Sequence, residues 1–203
     1  MQEKKKNIIA ENWEKRIGSL PQDIRIQLEE LKETRQPQYE FIPIKTSRNT
    51  INKGDIFVIQ PKKDIYFLGQ VLNTDVSRVS LWNNQNYVWR NAIVICIFKN
   101  KIKELNLPNI NLNYEELLIA PSIIIKEAWD LGCFYTIGNI PLTKEEQKLD
   151  YGFFDTTHFV YRDEYGCALN HKPKIVGILG ICNYGAIEYD INCEAIIDPS
   201  LFD

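Results

Sequence analysis

The sequence predicts a β-rich α+β fold: a twisted, mostly antiparallel sheet or partly open barrel, with a pair of helices at the N-terminus. Three observations predict it. A hairpin pattern spans residues 53–72, further runs rich in Ile and Val follow, and helical periodicity is clearest near the N-terminus. The 203 residues are 44% hydrophobic and 25% charged, which is the composition of a globular chain that can bury a substantial core.

Two short helices are predicted at the beginning of the chain. Apolar residues repeat every four positions over residues 8–17, which indicates one amphipathic helix. A second helix is expected to begin at Ser19, whose position fits a capping box, and to stop before Pro37. We expect this pair to form an extension over residues 1–38, packed on a main β-rich domain over residues 39–203.

The central hairpin is apolar on both faces of both strands. Residues 55–59 and 65–72 flank a polar turn that contains Asp64. A strand with one solvated face alternates apolar with polar residues, and these strands do not, so we expect cover on both sides. Gly69 interrupts the second strand and indicates a bulge or the close approach of another group.

The remaining elements are predicted from shorter patterns. Strands are expected at residues 78–82, 92–98, 123–125, 153–154 and 158–161, and in the glycine-punctuated run 175–181. Pro121 is expected to break the chain before residue 123, and residues 115–119 fit either a strand or a helical turn. Residues 143–146 look like a helix start, and residues 184–191 favour a short helix over a strand.

The sequence composition also limits the cellular compartment in which we expect the protein. The longest apolar run, residues 92–98, is far shorter than the roughly 20 residues that span a bilayer. The basic residues at the beginning of the chain are not followed by the apolar segment of a signal peptide. Five scattered cysteines without a CxxC pair are typical of reduced thiols. We therefore expect a cytoplasmic protein that does not enter the membrane.

The C-terminal quarter is strongly acidic and supplies the candidate partner-binding residues. Residues 151–203 contain three Lys+Arg and eight Asp+Glu, a net charge of −5, whereas the whole chain carries −3. Such a segment disfavours nucleic acid as a partner and suits a basic protein. The alternative is a solvated face. Acidic residues with neighbouring tyrosines are the candidates: Asp163, Glu164, Tyr165, Tyr184, Glu188 and Asp190.

The sequence gives only weak signs of a metal site or of a catalytic site. Cys167 lies four residues before His171, with Asp155 and Glu164 nearby, but one such spacing is half of a zinc site, and a core position for Cys167 is the simpler interpretation. No sequence context pairs a cysteine with a histidine as nucleophile and base. We predict no catalytic residue, no bound metal and no cofactor. An aromatic stacking platform between residues 82 and 89 is a further alternative, although aromatics at strand ends are usually core.

Residues 53–57 (Lys-Gly-Asp-Ile-Phe) and 66–72 (Tyr-Phe-Leu-Gly-Gln-Val-Leu) resemble a family of bacterial toxin-immunity proteins, immunity protein family 26. The resemblance extends over roughly residues 39–190, with similar spacing at 39–43 (Tyr-Glu-Phe-Ile-Pro), 118–121 (Leu-Ile-Ala-Pro) and 129–139 (Trp-x-x-Gly-x-Phe-x-x-Ile-Gly-Asn). It implies a cytosolic protein, made beside a polymorphic toxin, that binds the toxin domain and blocks it without chemistry. It implies no particular partner-contacting residue. Two other classes stay open: a small β-barrel module that binds nucleic acid or peptide, and an uncharacterised hydrolase.

Overall fold

The computed structural model describes residues 7–76, 92–107, 112–144, 146 and 149–203, and the backbone of residues 79–80 and 86–87. Its helices are α1 (Ile8–Gly18), α2 (Gln22–Thr34), α3 (Glu127–Asp130) and α4 (Tyr184–Ile197), with a 3₁₀ turn at Pro199–Phe202. Its strands are β1 (Asp55–Lys62), β2 (Ile65–Asn73), β3 (Val79–Ser80), β4 (Asn86–Tyr87), β5 (Ala92–Ile102), β6 (Leu117–Ile125), β7 (Phe134–Asn139), β8 (Tyr151–Asp155), β9 (Val160–Arg162), β10 (Ile175–Ile178) and β11 (Ile181–Cys182).

The predicted α+β class is confirmed, and the main sheet is open. In the described part of the chain, six strands follow the order β11-β6-β5-β2-β1-β7, a second sheet has the order β10-β8-β9, and β3 pairs with β4. Neighbours in the main sheet are antiparallel except β11 and β6, and β10 is also parallel to β8. The sheet ends at β7 on one side and at the short β11 on the other, so it does not close into a barrel.

The central hairpin is covered on both faces, as its sequence predicts. Phe57 and Phe67 belong to a cluster under α3 and α4, which also contains Trp129. Ile56 and Leu68 point to the opposite face, where a second cluster continues onto the small sheet. Because alternate residues of both strands are buried in different clusters, the hairpin lies between two cores.

Pro121 does not break the chain, so that prediction is wrong. Strand β6 runs without interruption through it, although proline has no N–H for a ladder hydrogen bond. The register between β5 and β6 shifts between Ile95 and Ile97, opposite this part of β6. On the other side, β11 pairs only with Ile123 and Ile124. The pairing of β6 with β5 is irregular near Pro121, and the neighbour on the other side, β11, is short. The proline is therefore tolerated, because few regular backbone hydrogen bonds are lost.

The N-terminal helices form as predicted but are capped differently. Ser19 does not cap α2; its hydroxyl donates to the Arg16 carbonyl oxygen at 2.7 Å, and Pro21 precedes the helix without a side-chain hydrogen bond. Leu28 and Leu31 of α2 pack with Cys193 of α4 in a third cluster. The pair therefore packs on α4 and reaches the sheet through it. The division at residue 38 stays a prediction.

Helix α4 is longer than its sequence pattern suggests. Asn183 caps it by accepting a hydrogen bond from the Ala186 N–H at 2.9 Å, and its apolar face packs into the cluster under the main sheet. Asn192 is 1% exposed and binds both backbone groups of Tyr39: its Oδ1 accepts from the Tyr39 N–H at 2.9 Å, and its Nδ2 donates to the Tyr39 carbonyl at 2.7 Å. These two bonds fasten the connector before β1 to the helix.

Some expected features fall outside the described residues. These include Trp82, Trp89 and the side chain of Tyr87, so the predicted platform is not described. At residues 143–146, Thr143 and Glu146 exchange the two hydrogen bonds of a capping box, at 2.6 and 3.1 Å. No helix in the described part of the chain is long and apolar enough to cross a membrane.

Candidate partner-binding surface

The first three predicted residues lie together on the turn after β9. Asp163 Oδ1 accepts hydrogen bonds from the N–H groups of Tyr165 at 3.0 Å and Cys167 at 2.8 Å, so this carboxylate holds the turn closed. Asn73, at the end of β2, donates to Glu164 Oε1 and to the Tyr165 hydroxyl, both at 3.0 Å. The turn is thus fastened to the main sheet, and Tyr165 remains 43% exposed.

Glu164 is part of a small internal network. Besides Asn73, it accepts a hydrogen bond from the Tyr151 hydroxyl at 3.0 Å. Burial, followed by the nearby Glu164 carboxylate, raises the pKa of Tyr151. Glu164 therefore satisfies partly buried polar groups, and its carboxylate is less available to a partner than its place in an acidic segment suggests.

Two of the three predicted residues on α4 contact other parts of the chain. Tyr184 packs against the cluster under the main sheet. Glu188 accepts a hydrogen bond from the Phe41 N–H, on the connector before β1. Burial raises the pKa of Glu188, and this hydrogen bond opposes that effect. Both residues help to attach α4, so their contribution to a partner interface is limited by their contacts.

Asp190 is the predicted residue whose charge is most available. The residue as a whole is exposed although protein atoms crowd its carboxylate, and in the described part of the chain it has no hydrogen bond or ion pair. Crowding by protein atoms, and then the Glu194 carboxylate, raise the pKa of Asp190 to about 6. It lies where two hollows meet, one against α1 and β6 and the other beside Lys32 and Arg35.

An ion pair that sequence reasoning missed stands beside Asp190. Arg16 of α1 donates to both carboxylate oxygens of Glu194 on α4, at 2.5 and 2.7 Å, and its guanidinium lies 5.7 Å from the centre of the Trp13 ring. The sequence spacing of Trp13 and Arg16 predicts that they lie on one helix face. Their partner lies 178 residues away, and no local pattern identifies it.

The residues considered for metal or nucleophilic chemistry lie in separate hydrogen-bonded groups. Cys167 is exposed and not in the core as expected, whereas His171 Nε2 lies 2.8 Å from Asp150 Oδ1. Asp155 is buried and accepts hydrogen bonds from Arg162 Nε at 2.8 Å and from the backbone of His158 at 3.0 Å. Among the described residues, no three His, Cys, Asp or Glu side chains are grouped to hold a metal.

The comparison with known families concerns the part of the chain that forms most of the main sheet. The sequence pattern of the family described as Immunity protein 26 matches residues 52–158, just over half of the chain. The chain belongs to the immunity protein 26 family. No curated protein and no solved structure matches it.

The matched stretch of this immunity protein 26 member contains the hairpin, β5, β6, α3, β7 and β8. It is narrower than the resemblance seen in the sequence, and the helices α1, α2 and α4 lie outside it. All six predicted partner-binding residues also lie outside it, between Asp163 and Asp190. The family match therefore covers most of the main sheet, and it does not extend to the surface that α4 and the turn after β9 present.

Proposed function

We propose that the chain is an immunity protein that binds a cognate toxin domain in the cytoplasm and neutralises it by stoichiometric, non-catalytic inhibition. The observation that carries this proposal is the match to the immunity protein 26 family over residues 52–158. Inhibition of this kind needs a complementary surface and no reaction centre, so the relevant residues are those that a partner can reach.

The acidic C-terminal quarter supports the proposal that the partner is basic. Its net charge of −5 stands beside exposed or half-exposed aromatic side chains such as Tyr165. Toxins that attack nucleic acids carry basic sites, and an acidic inhibitor is steered to such a site and competes for it. Of the predicted residues, we propose Asp190 and the turn at Asp163 and Tyr165 as the contacts, with Glu164, Tyr184 and Glu188 supporting them from within.

The test is a titration against the toxin domain encoded beside the gene for this chain. We expect co-expression to restore the growth that the toxin domain alone arrests. With purified proteins, toxin activity should fall in proportion to added chain and reach its minimum at one chain per toxin domain. A chain that inactivates a large excess of toxin acts catalytically, and one that neither binds nor protects is not its immunity protein.

A further inference from the structure

A groove runs between α1, α4 and the strands β6 and β10. Its volume is about 420 Å³, and its lining comes from all four of these elements. Ile9 and Trp13 line it from α1, and Pro121 and Ile178 line it from the strands. The groove is therefore a junction of the N-terminal helix, the C-terminal helix and both sheets, and most of its lining is apolar.

Large apolar side chains are exposed at one end of the groove. Ile178 lines it and is 52% exposed, and Ile181, on the other side of the turn that joins β10 to β11, is 44% exposed. Across the groove, Ile9 and Trp13 are half-buried. Exposed isoleucines at a groove that a half-buried tryptophan also lines are typical of a surface that a partner covers, because aromatic anchors in a pocket supply much of the affinity of interfaces.

The groove carries one negative charge that no described residue neutralises through an ion pair. Arg16 and Glu194 neutralise each other through their two hydrogen bonds. Asp190 lines the same groove and, among the described residues, has no ion pair. Lys32 and Arg35 line the hollow on the other side of Asp190, and neither forms a described ion pair with it. An apolar groove with one uncompensated carboxylate is complementary to an apolar side chain next to a cation.

We propose that this groove receives a segment of the toxin domain that presents an apolar side chain beside a Lys or Arg. The apolar side chain packs between Trp13 and Ile178, and the cation pairs with Asp190. This rests on the proposed function and adds to it the place and the chemistry of contact. The contact extends over α1 and the turn that joins β10 to β11, because a stable interface buries about 1,600 Å² in total and the groove alone does not supply that area.

The surroundings of Asp190 disfavour its charge in the free protein. Crowding and the Glu194 carboxylate raise its pKa to about 6, so the ionised form that dominates at neutral pH is disfavoured in the folded state. A cation from a partner reverses this effect. A residue that is unfavourable in the free protein and favourable in a complex is typical of a binding site, where stability and function oppose each other.

The experiment compares matched variants of the full chain in binding to the adjacent-gene toxin domain. Ile178→Asp and Asp190→Lys change the groove, whereas Ile26→Asp and Asp130→Lys make the same changes on exposed positions of α2 and α3 that do not line it. We expect each groove variant to weaken binding by roughly tenfold or more, and each control to stay within about twofold. Melting curves report whether each variant folds.

Hydrogen exchange of the parent protein gives a second readout that needs no variant. Toxin binding should slow exchange in α1, in residues 176–182 and in α4. Unchanged exchange there, or groove variants that bind as the parent does, overturns the groove proposal while the proposed function stands. A parent chain that does not bind the toxin overturns both. A parent dimer that Ile178→Asp converts to monomer, with toxin binding unchanged, assigns the groove to a second copy of the chain instead.

Discussion

The ring of Phe57 occupies the space in which a side chain at Gly69 would have to lie. The two residues are direct partners across the antiparallel pair β1–β2, and a Cβ built on Gly69 would stand 2.2 Å from Phe57 Cζ. The register between β2 and β5 also shifts beside Gly69. The glycine therefore permits an aromatic ring to lie flat over the strand, where it stacks on Phe134 with ring centres 4.7 Å apart.

Gly69→Ala is expected to destabilise the fold. The new methyl group would displace Phe57 from the cluster under α3 and α4, and overpacking of this kind lowers the free energy of unfolding by about 1–3 kcal/mol. Gly18→Ala is the matched control, because nothing lies within 4 Å of its Cβ position. Chemical denaturation measures both. Equal midpoints for Gly69→Ala and the parent protein would mean that the ring has room to move.

Asn192→Ala is expected to detach the connector from α4. It leaves the N–H and the carbonyl of Tyr39 without their buried partner, and each unpaired group lowers the free energy of unfolding by about 1–3 kcal/mol. Asn192→Asp keeps an acceptor for the N–H but turns a buried carboxylate oxygen towards the carbonyl oxygens of Tyr39 and Glu188, so it should not restore the stability lost in Asn192→Ala. Asn49→Ala, at an exposed loop position, is the control. Hydrogen exchange near residue 39 should quicken only in the Asn192 variants.

Asp155 should make the fold sensitive to acid. Burial alone raises its pKa, but hydrogen bonds from Arg162 and His158 outweigh burial and lower the pKa to about 2, from an ordinary 3.8. A carboxylate with a lowered pKa stabilises the fold above its ordinary pKa and loses that contribution as the pH falls through the folded value. This group accounts for about 2 kcal/mol of unfolding free energy, lost between about pH 4 and pH 2.

Asp155→Asn is the corresponding variant. It should be less stable than the parent at pH 7, since it leaves Arg162 without its carboxylate, and the difference should shrink towards pH 2. Asp64→Asn, on the turn between β1 and β2, serves as the control. Denaturation at a series of pH values measures the difference, and a gap that stays constant down to pH 2 would contradict the assigned role.

Asp190→Asn is expected to stabilise the free protein at pH 7. The pKa of Asp190 is raised to about 6 by crowding and by Glu194, so its ionised form opposes folding above that pH. The other charged groups near it are Arg16, which is paired with Glu194, and, in the second hollow, Lys32, Arg35, Glu40 and Glu188. Because protonation removes the unfavourable charge, the advantage of the variant should vanish as the pH falls from about 6 towards 4.

Thermal melts at pH 7.5 and pH 4.5 measure this effect, with Asp130→Asn on α3 as the control. The same Asp190→Asn protein should bind the toxin domain less tightly than the parent. Gain of stability together with loss of binding is the expected pair of results. A variant that is less stable at pH 7.5 would show that Asp190 supports the fold, contrary to this expectation.

Charge at the turn after β9 should affect the rate of association. Asp163→Asn keeps the side-chain oxygen that closes the turn and removes its charge. We expect a several-fold slower association with the toxin domain at low salt, and a smaller difference at high salt, because salt screens steering. Asp64→Asn, on the β1–β2 turn, is the control. Identical association rates at low salt would place the interface away from this turn.

Much of the fold could be predicted from the sequence because it depends on local patterns. The two strands at residues 55–73 carry apolar residues on both faces, and burial on both faces follows for any sheet that contains them. The helical spacing at residues 8–17 and after residue 184, and the isolated glycine at Gly69, likewise depend on neighbours within a few residues. The charge of the last quarter is a sum over the sequence and needs no structure.

What only the tertiary structure decided is which groups meet. Ser19 has the spacing of a cap but donates to Arg16, and Pro121 lies within a strand because its neighbours do not require its N–H. The acidic residues look equivalent in the sequence, yet Glu164 and Glu188 satisfy internal donors while Asp190 faces an open groove. The availability of a charge depends on partners supplied by distant segments, because hydrogen bonds and burial act over a few ångströms in space regardless of separation along the chain.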